Sequence, residues 1–397
     1  MTSDYLTPTW RVTTCAGLSQ LINWGISFYM PGTFAHAIIL TTGWSPSFLY
    51  GGLTLAMLIM AAISPFTARL LPLLGGQRLV LTGTLLIACG CFMLSLSTTK
   101  IIWMTGWSVI GIGMRLSLYD ALFAVLVDLY GPAARRVISQ VALFGGLASV
   151  VFWPLGTLLL EWVSWHTALF IYGCAGLLNA GLLWAIPNRQ SPRKIQAYPA
   201  SLDTSARLPA ILYALFIALM TFVSNGTSTH LPELIANFGL PVTVGMLWGV
   251  GQTGARLLDV LSGQRLTPAR LAVITSLLIP LCFLLALTAK VAPAAIAGFA
   301  LGYGAVNGLM TVVKATLPLQ LFNPEQYAER TGLLLIPGQL LAAVSPFAWA
   351  WMGSHAGIEG TLWISLSLGL AIAMLALALA KCVRSRREFS ELLSSNP

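Results

Sequence analysis

Apolar runs of about 20 residues, the length at which a helix crosses a ~30 Å hydrocarbon layer, recur from one end of this 397-residue chain to the other. Hydrocarbon offers the backbone no hydrogen-bond partner, so such runs must satisfy their own N–H and C=O groups as helices. Twelve candidate spans follow: 11–38, 45–70, 77–98, 101–130, 135–161, 165–187, 208–234, 241–263, 268–290, 292–322, 330–353 and 358–381. The chain is 57% hydrophobic and 8% charged, with a mean hydropathy of +0.83, outside the range of a water-soluble domain of this length. The fold class expected is therefore all-α integral membrane.

Alternation of sides can be tested against the cations. With a cytoplasmic N-terminus, seventeen of the 21 Lys and Arg fall in cytoplasmic loops or span ends; only Lys100 and Lys290 fall outside. Arg115 and Lys314 remain within spans. This bias predicts both termini in the cytoplasm and a multi-pass protein of the bacterial inner membrane. The net charge of +9 is thus a topology signal, and nucleic acid is not implied. No cleavable signal peptide is expected, because the first apolar stretch is too long and has no basic leader. The six Cys show no metal-ligand spacing and read as small apolar packing groups, with no disulfide framework.

The longest polar interval, Asn188–Arg207, separates six spans from six. It reads as a cytoplasmic linker, giving a bundle over 1–187, a linker over 188–207, a second bundle over 208–382 and a tail over 383–397. The halves repeat each other. Residues 68–79 (ARLLPLLGGQRL) match 255–266 (ARLLDVLSGQRL), and Gly25…Pro31 matches Gly226…Pro232. Gly111-Ile-Gly113 recurs as Gly302-Tyr-Gly304. Each pair lies at the same point of corresponding spans. Two parallel six-helix repeats make an alternating-access carrier the leading expectation.

On these residues the chain resembles the major facilitator superfamily over essentially its whole length. The loop after spans 2 and 8 in that family usually reads Gly-Arg-Leu-x-Asp-Arg-x-Gly-x-Arg-Arg. Here the acidic position is Asp259 in the second copy and Pro72 in the first, so the charge relay the resemblance implies is degraded in the first half. Arg69, Arg78, Asp259 and Arg265 are the gate residues it implies. Segments 113–120 (GMRLSLYD) and 144–154 (FGGLASVVFWP) resemble a bacterial branch related to the monocarboxylate transporters. The fold this implies is two pseudo-symmetric six-helix bundles.

Ionisable groups inside a bilayer are costly, so they are the natural candidates for transport. Arg115 lies 14 residues after Ile101 and 16 before Gly131, ~20 Å from either end of its span at ~1.5 Å per residue. It needs a hydrated cavity or a partner: it either holds substrate or ties to a neighbouring carbonyl or acid. Tyr119, one turn on, shares its face in a continuous helix. Asp120 then sits ~140° around from Arg115, too far for an in-helix pair. It is either a proton carrier or a packing contact. Lys314, on one face with Asn307, either offers a point charge to an anion or snorkels to the cytoplasm. Arg256 resembles the span-8 arginine that monocarboxylate transporters are thought to use for a carboxylate; its repeat mate Arg69 argues instead for a gate. Asn23, Trp24 and Tyr29 in span 1, with Asn225, Thr227 and His230 in span 7, supply neutral groups at matching depth. Gly25 with Pro31 and Gly226 with Pro232 are expected to loosen both helices there. Trp10, Trp103, Trp165 and Trp363 are expected in lipid-facing or interfacial belts.

No phosphate-binding loop, metal-ligand cluster or nucleophile elbow is present, so ATP, cofactors, metals and enzymatic chemistry are not expected. The function expected is a monomeric secondary transporter of a small organic anion, coupled to protons through Asp120. Its substrate-binding candidates are Arg115, Tyr119, Asn23, Tyr29, His230, Asn307, Lys314 and Arg256. A drug or toxicant exporter with an apolar cavity is the alternative within transport, and a non-transporting receptor or scaffold the alternative from another class.

Overall fold

The computed structural model describes residues 5–188, 204–263, 265–322 and 327–395. Every element among these is helical. Most of the 188–207 linker, Gln264 of the second repeat motif and the last two residues of the tail lie outside the described set.

The first half runs α1 (Trp10–Ile26), α2 (Met30–Thr42), α3 (Pro46–Leu74), α4 (Gly76–Ser95) and α5 (Lys100–Ser117). It continues with α6 (Tyr119–Tyr130), α7 (Ala134–Gly146), α8 (Ala148–Trp162) and α9 (Trp165–Leu182). The second runs α10 (Thr204–Asn237), α11 (Met246–Leu261), α12 (Pro268–Leu287) and α13 (Ala295–Thr316). After it come α14 (Pro318–Leu321), α15 (Tyr327–Leu334) and α16 (Ile336–Ser395), the last bent at Gly357 with φ 70°. One capping device starts helices again and again. Thr9, Ser45, Thr99, Ser164 and Thr267 each accept from the backbone N–H three residues on, satisfying a donor the helix cannot.

Eight apolar helical stretches among the described residues are long enough to cross a membrane. The 63-residue stretch Lys100–Trp162 holds the predicted fourth and fifth spans, parted by a short 3-10 turn at Gly131–Ala133. Predicted span 8 is the 16-residue α11, which falls short of that length. Predicted span 1 is divided at Ser27 (φ −120°, ψ −83°) into α1 and α2, between Gly25 and Pro31 as expected. Its mate behaves differently: α10 runs unbroken through Gly226 and Pro232. The two glycines instead share another role. A Cβ on Gly25 would lie 2.2 Å from the Phe152 ring, and one on Gly226 would lie 2.3 Å from the Trp349 ring. Each glycine is a socket for an aromatic ring of a neighbouring helix.

The chain divides into two compact units, residues 1–196 with 324–333 and residues 197–323 with 334–397. In the first unit, α4 packs on α5 and α9, α3 on α5, and α1 on α7, α8 and α9. Small residues permit the tight α4–α5 approach: a Cβ on Gly113 would meet the Gly83 carbonyl oxygen at 2.7 Å. In the second unit α16 packs on α10 and α12, and α13 on α11 and α12. Leu178, Trp184, Leu258 and Met374 are among the large apolar side chains left on the outside, the reverse of a soluble protein and the surface a bilayer requires.

The tryptophan expectation holds for Trp10 and Trp363, which are exposed, and fails for Trp103 and Trp165, which are buried. Both buried indoles find an acceptor, Trp103 Nε1 at Leu49 O (3.4 Å) and Trp165 Nε1 at Thr41 Oγ1 (2.8 Å). Burial then satisfies the polar edge as well as the apolar body. Among the described residues the cysteines are all free.

Candidate substrate and gating residues

A backbone break sets the geometry around Arg115. Leu118 has ψ −174°, so α5 ends and α6 begins one residue later. The 140° offset expected of a continuous helix therefore does not apply. Asp120 swings back, and Arg115 Nη1 donates to its Oδ2 at 3.1 Å. Nε of the same guanidinium donates to Thr67 Oγ1 of α3 at 3.0 Å. Arg115 is 3% exposed and Asp120 15%. The expectation that the two cannot pair within the span is corrected by this break.

Tyr119 leaves the Arg115 face for the same reason. Its hydroxyl donates to Ala142 O of α7 at 3.1 Å, and its ring lies 5.1 Å from Trp24 and 5.0 Å from Phe123. Trp24, Phe28 and Tyr29 continue this aromatic cluster across the end of α1, and all three are half-buried.

Asn23 is fully buried inside the first unit. Its Nδ2 donates to Thr84 Oγ1 of α4 at 2.9 Å, and its Oδ1 accepts from Asn179 Nδ2 of α9 at 2.8 Å. Gln20, one turn earlier, donates to Ser117 O at 2.7 Å. Here the amides knit α1 to three neighbouring helices, a role that polar residues often have where apolar contact alone gives no direction. Thr67, Thr84, Gln20 and Asn179 were not singled out from sequence. Thr and Ser are too common in helices to stand out, and the pairings join residues as far apart as 23 and 179.

In the second unit Arg256 is 3% exposed. Its Nε donates to Gly308 O at 3.0 Å and its Nη2 to Thr311 Oγ1 at 2.9 Å, both on α13. Asp259, one turn later on α11, is also buried. Asn307 accepts from the Ser224 hydroxyl of α10. Lys314 is half-buried on α13, its carbonyl held by the Tyr213 hydroxyl at 2.6 Å. His230 Nδ1 lies 3.1 Å from Glu233 Oε2 on the same helix. Arg69, Arg78 and Arg265 are exposed. Two buried arginines therefore cross-link corresponding helix pairs, α5 to α3 in one unit and α11 to α13 in the other. The cation sits on a different helix of the matched pair in each repeat, on α5 in the first and on α11 in the second. No group of His, Cys, Asp or Glu among the described residues could hold a metal.

The described chain is all-helical and apolar on its outside, with buried arginines tying matched helix pairs. Its sequence matches the family model of the Major Facilitator Superfamily over residues 12–318, and the chain belongs to that family of secondary transporters. It is similar in fold to the human organic anion transporter MFSD10 (TETRAN), with 16% identity and a TM-score of 0.74 over 94% of this chain and 100% of that one. It is likewise similar to the proton:xylose symporter XylE bound to 6-bromo-6-deoxy-D-glucose, with 14% identity and a TM-score of 0.74 over 94% and 95%. The family transporter FucP in its outward conformation matches at 14% identity and a TM-score of 0.71 over 92% and 97%. No curated protein matches the chain.

Proposed function

We propose that this transporter moves a small organic anion, with a carboxylate as the recognised group, by alternating access coupled to protons. The observation that carries this reading is the Arg115–Asp120 ion pair in the interior of the first unit. A buried cation demands an anionic partner, because leaving it alone in a low-dielectric setting is costly. While Asp120 is ionised, it meets that demand. Once Asp120 takes a proton, Arg115 must find another anion, and a carboxylate substrate fits the guanidinium fork. One proton and one carboxylate would then load together, and release of the substrate would require Asp120 to ionise again. Lys314 of α13 is the second candidate cation for the anion; Arg256, bound to Gly308 O and Thr311, is assigned to helix cross-linking and, with Arg69, Arg78, Asp259 and Arg265, to the gate residues.

The organic anion transporter and the proton:xylose symporter share this fold, so fold supports the transport class and leaves the solute to the side chains. The monocarboxylate-related branch rests on segments 113–120 and 144–154 alone. The distribution of cations supports a bacterial inner membrane, with both termini cytoplasmic, and a monomer suffices for the mechanism. The direct test is uptake of labelled monocarboxylates into proteoliposomes under an imposed pH gradient. Arg115→Ala should abolish uptake, and Asp120→Asn should remove its dependence on the gradient. Uptake by Arg115→Ala equal to the parent would defeat the anchor assignment.

The half-buried cluster of Trp24, Phe28 and Tyr29 favours a second reading, export of apolar toxicants. A growth-inhibition panel in a strain without its own pumps separates the two: protection against apolar compounds together with no carboxylate flux would select the exporter.

A further inference from the structure

At one end of the second unit, the end of α10, the end of α12 and the turn of α16 at Gly357 enclose a cavity of about 200 Å³. That is smaller than the ~300–1,000 Å³ of pockets for drug-sized ligands. Its walls are mostly apolar, with Phe238, Leu287, Ile358 and Leu362 among them, and Lys290 and Glu359 line it as well. The Lys290 ammonium and the Glu359 carboxylate are bonded to each other, yet each side chain is more than half exposed, at 61% and 51%. Water and salt screen such a pair, so separating it costs little.

All three helices carry long apolar stretches, and the cavity lies where α10 and α12 end and α16 bends. It therefore stands at the level where a bilayer presents its headgroups. One neighbouring chemistry carries an anion and a primary ammonium a few bonds apart on an apolar tail. We propose that this cavity binds a phospholipid with an ethanolamine headgroup. The lipid phosphate takes Lys290, its ammonium takes Glu359, and the first acyl carbons lie against Phe238, Leu287, Ile358 and Leu362. Both charges of the opened pair are re-satisfied at once. A choline headgroup cannot donate hydrogen bonds to Glu359, and a glycerol headgroup offers it no cation.

The test is native mass spectrometry of the delipidated full chain, titrated with phosphatidylethanolamine, phosphatidylcholine and phosphatidylglycerol of identical acyl chains. One site should hold the ethanolamine lipid about tenfold more tightly than either other lipid. Glu359→Gln should bring ethanolamine binding down to the choline level, and Lys290→Gln should weaken both. Ile358→Trp, which fills the cavity and keeps both charged residues, should abolish the site. Lipid-free melting temperatures of each variant separate loss of fold from loss of binding. Equal affinity for ethanolamine and choline lipids in the parent, or a preference that survives Glu359→Gln or Ile358→Trp in folded protein, would overturn the proposal.

Discussion

Arg115 and Asp120 are five residues apart in sequence, and 3.1 Å separates Nη1 from Oδ2 because the helix stops between them at Leu118. The pair is almost closed to solvent, so removing one member leaves the other without its natural compensation. Asp120→Ala should destabilise the protein by about 3–5 kcal/mol, the cost of an uncompensated buried charge. Asp120→Asn, which keeps an oxygen acceptor, should cost clearly less. Thermal melts of the two variants in detergent check the ordering.

Arg256 tests the same physics through its bonds to α13. Arg256→Ala removes donors to Gly308 O and Thr311 Oγ1 and should cost about 1.5–3 kcal/mol per charged hydrogen bond lost. Arg256→Lys should recover only part of this, since a single ammonium cannot reproduce the fork. A double-mutant cycle with Thr311→Val isolates the second contact.

Asn23 should matter for stability before it matters for transport. Asn23→Ala strands Thr84 Oγ1 and one donor of Asn179 inside the first unit, at about 1–3 kcal/mol per unsatisfied group. A larger loss of melting temperature than for alanine at half-buried Tyr29 would agree with its burial. An unchanged melt with lost transport would place it on the solute's route instead.

Gly113→Val should separate α4 from α5, since even a Cβ there would approach the Gly83 carbonyl oxygen to 2.7 Å. The expected loss is about 1–3 kcal/mol, as for other overpacked interiors. Gly181→Ala in α9, where a Cβ meets nothing within 4 Å, is the control and should hold or slightly raise the melt, because Ala is the better helix former.

The spans, the doubling and the family were legible in sequence because apolar length, charge bias and motif spacing are properties of one strand of chain. Side-chain pairing was less so. The Arg115–Asp120 contact was missed because neither Gly nor Pro marks Leu118, and a helix drawn straight through it sends the two groups apart. The symmetric loosening expected at Gly25 and Gly226 appeared only in the first copy, so the shared glycine does not by itself make the helix yield. Trp103 and Trp165 look like interface residues by composition, and only the packed neighbours reveal the acceptors that let them go inside.

The two glycine sockets have a historical consequence. Phe152 fills the one at Gly25 and Trp349 the one at Gly226, so the duplicated halves have kept the fit while changing the ring. In related chains an alanine at either position should therefore arrive together with a slimmer residue opposite, and an alignment could read that compensation directly.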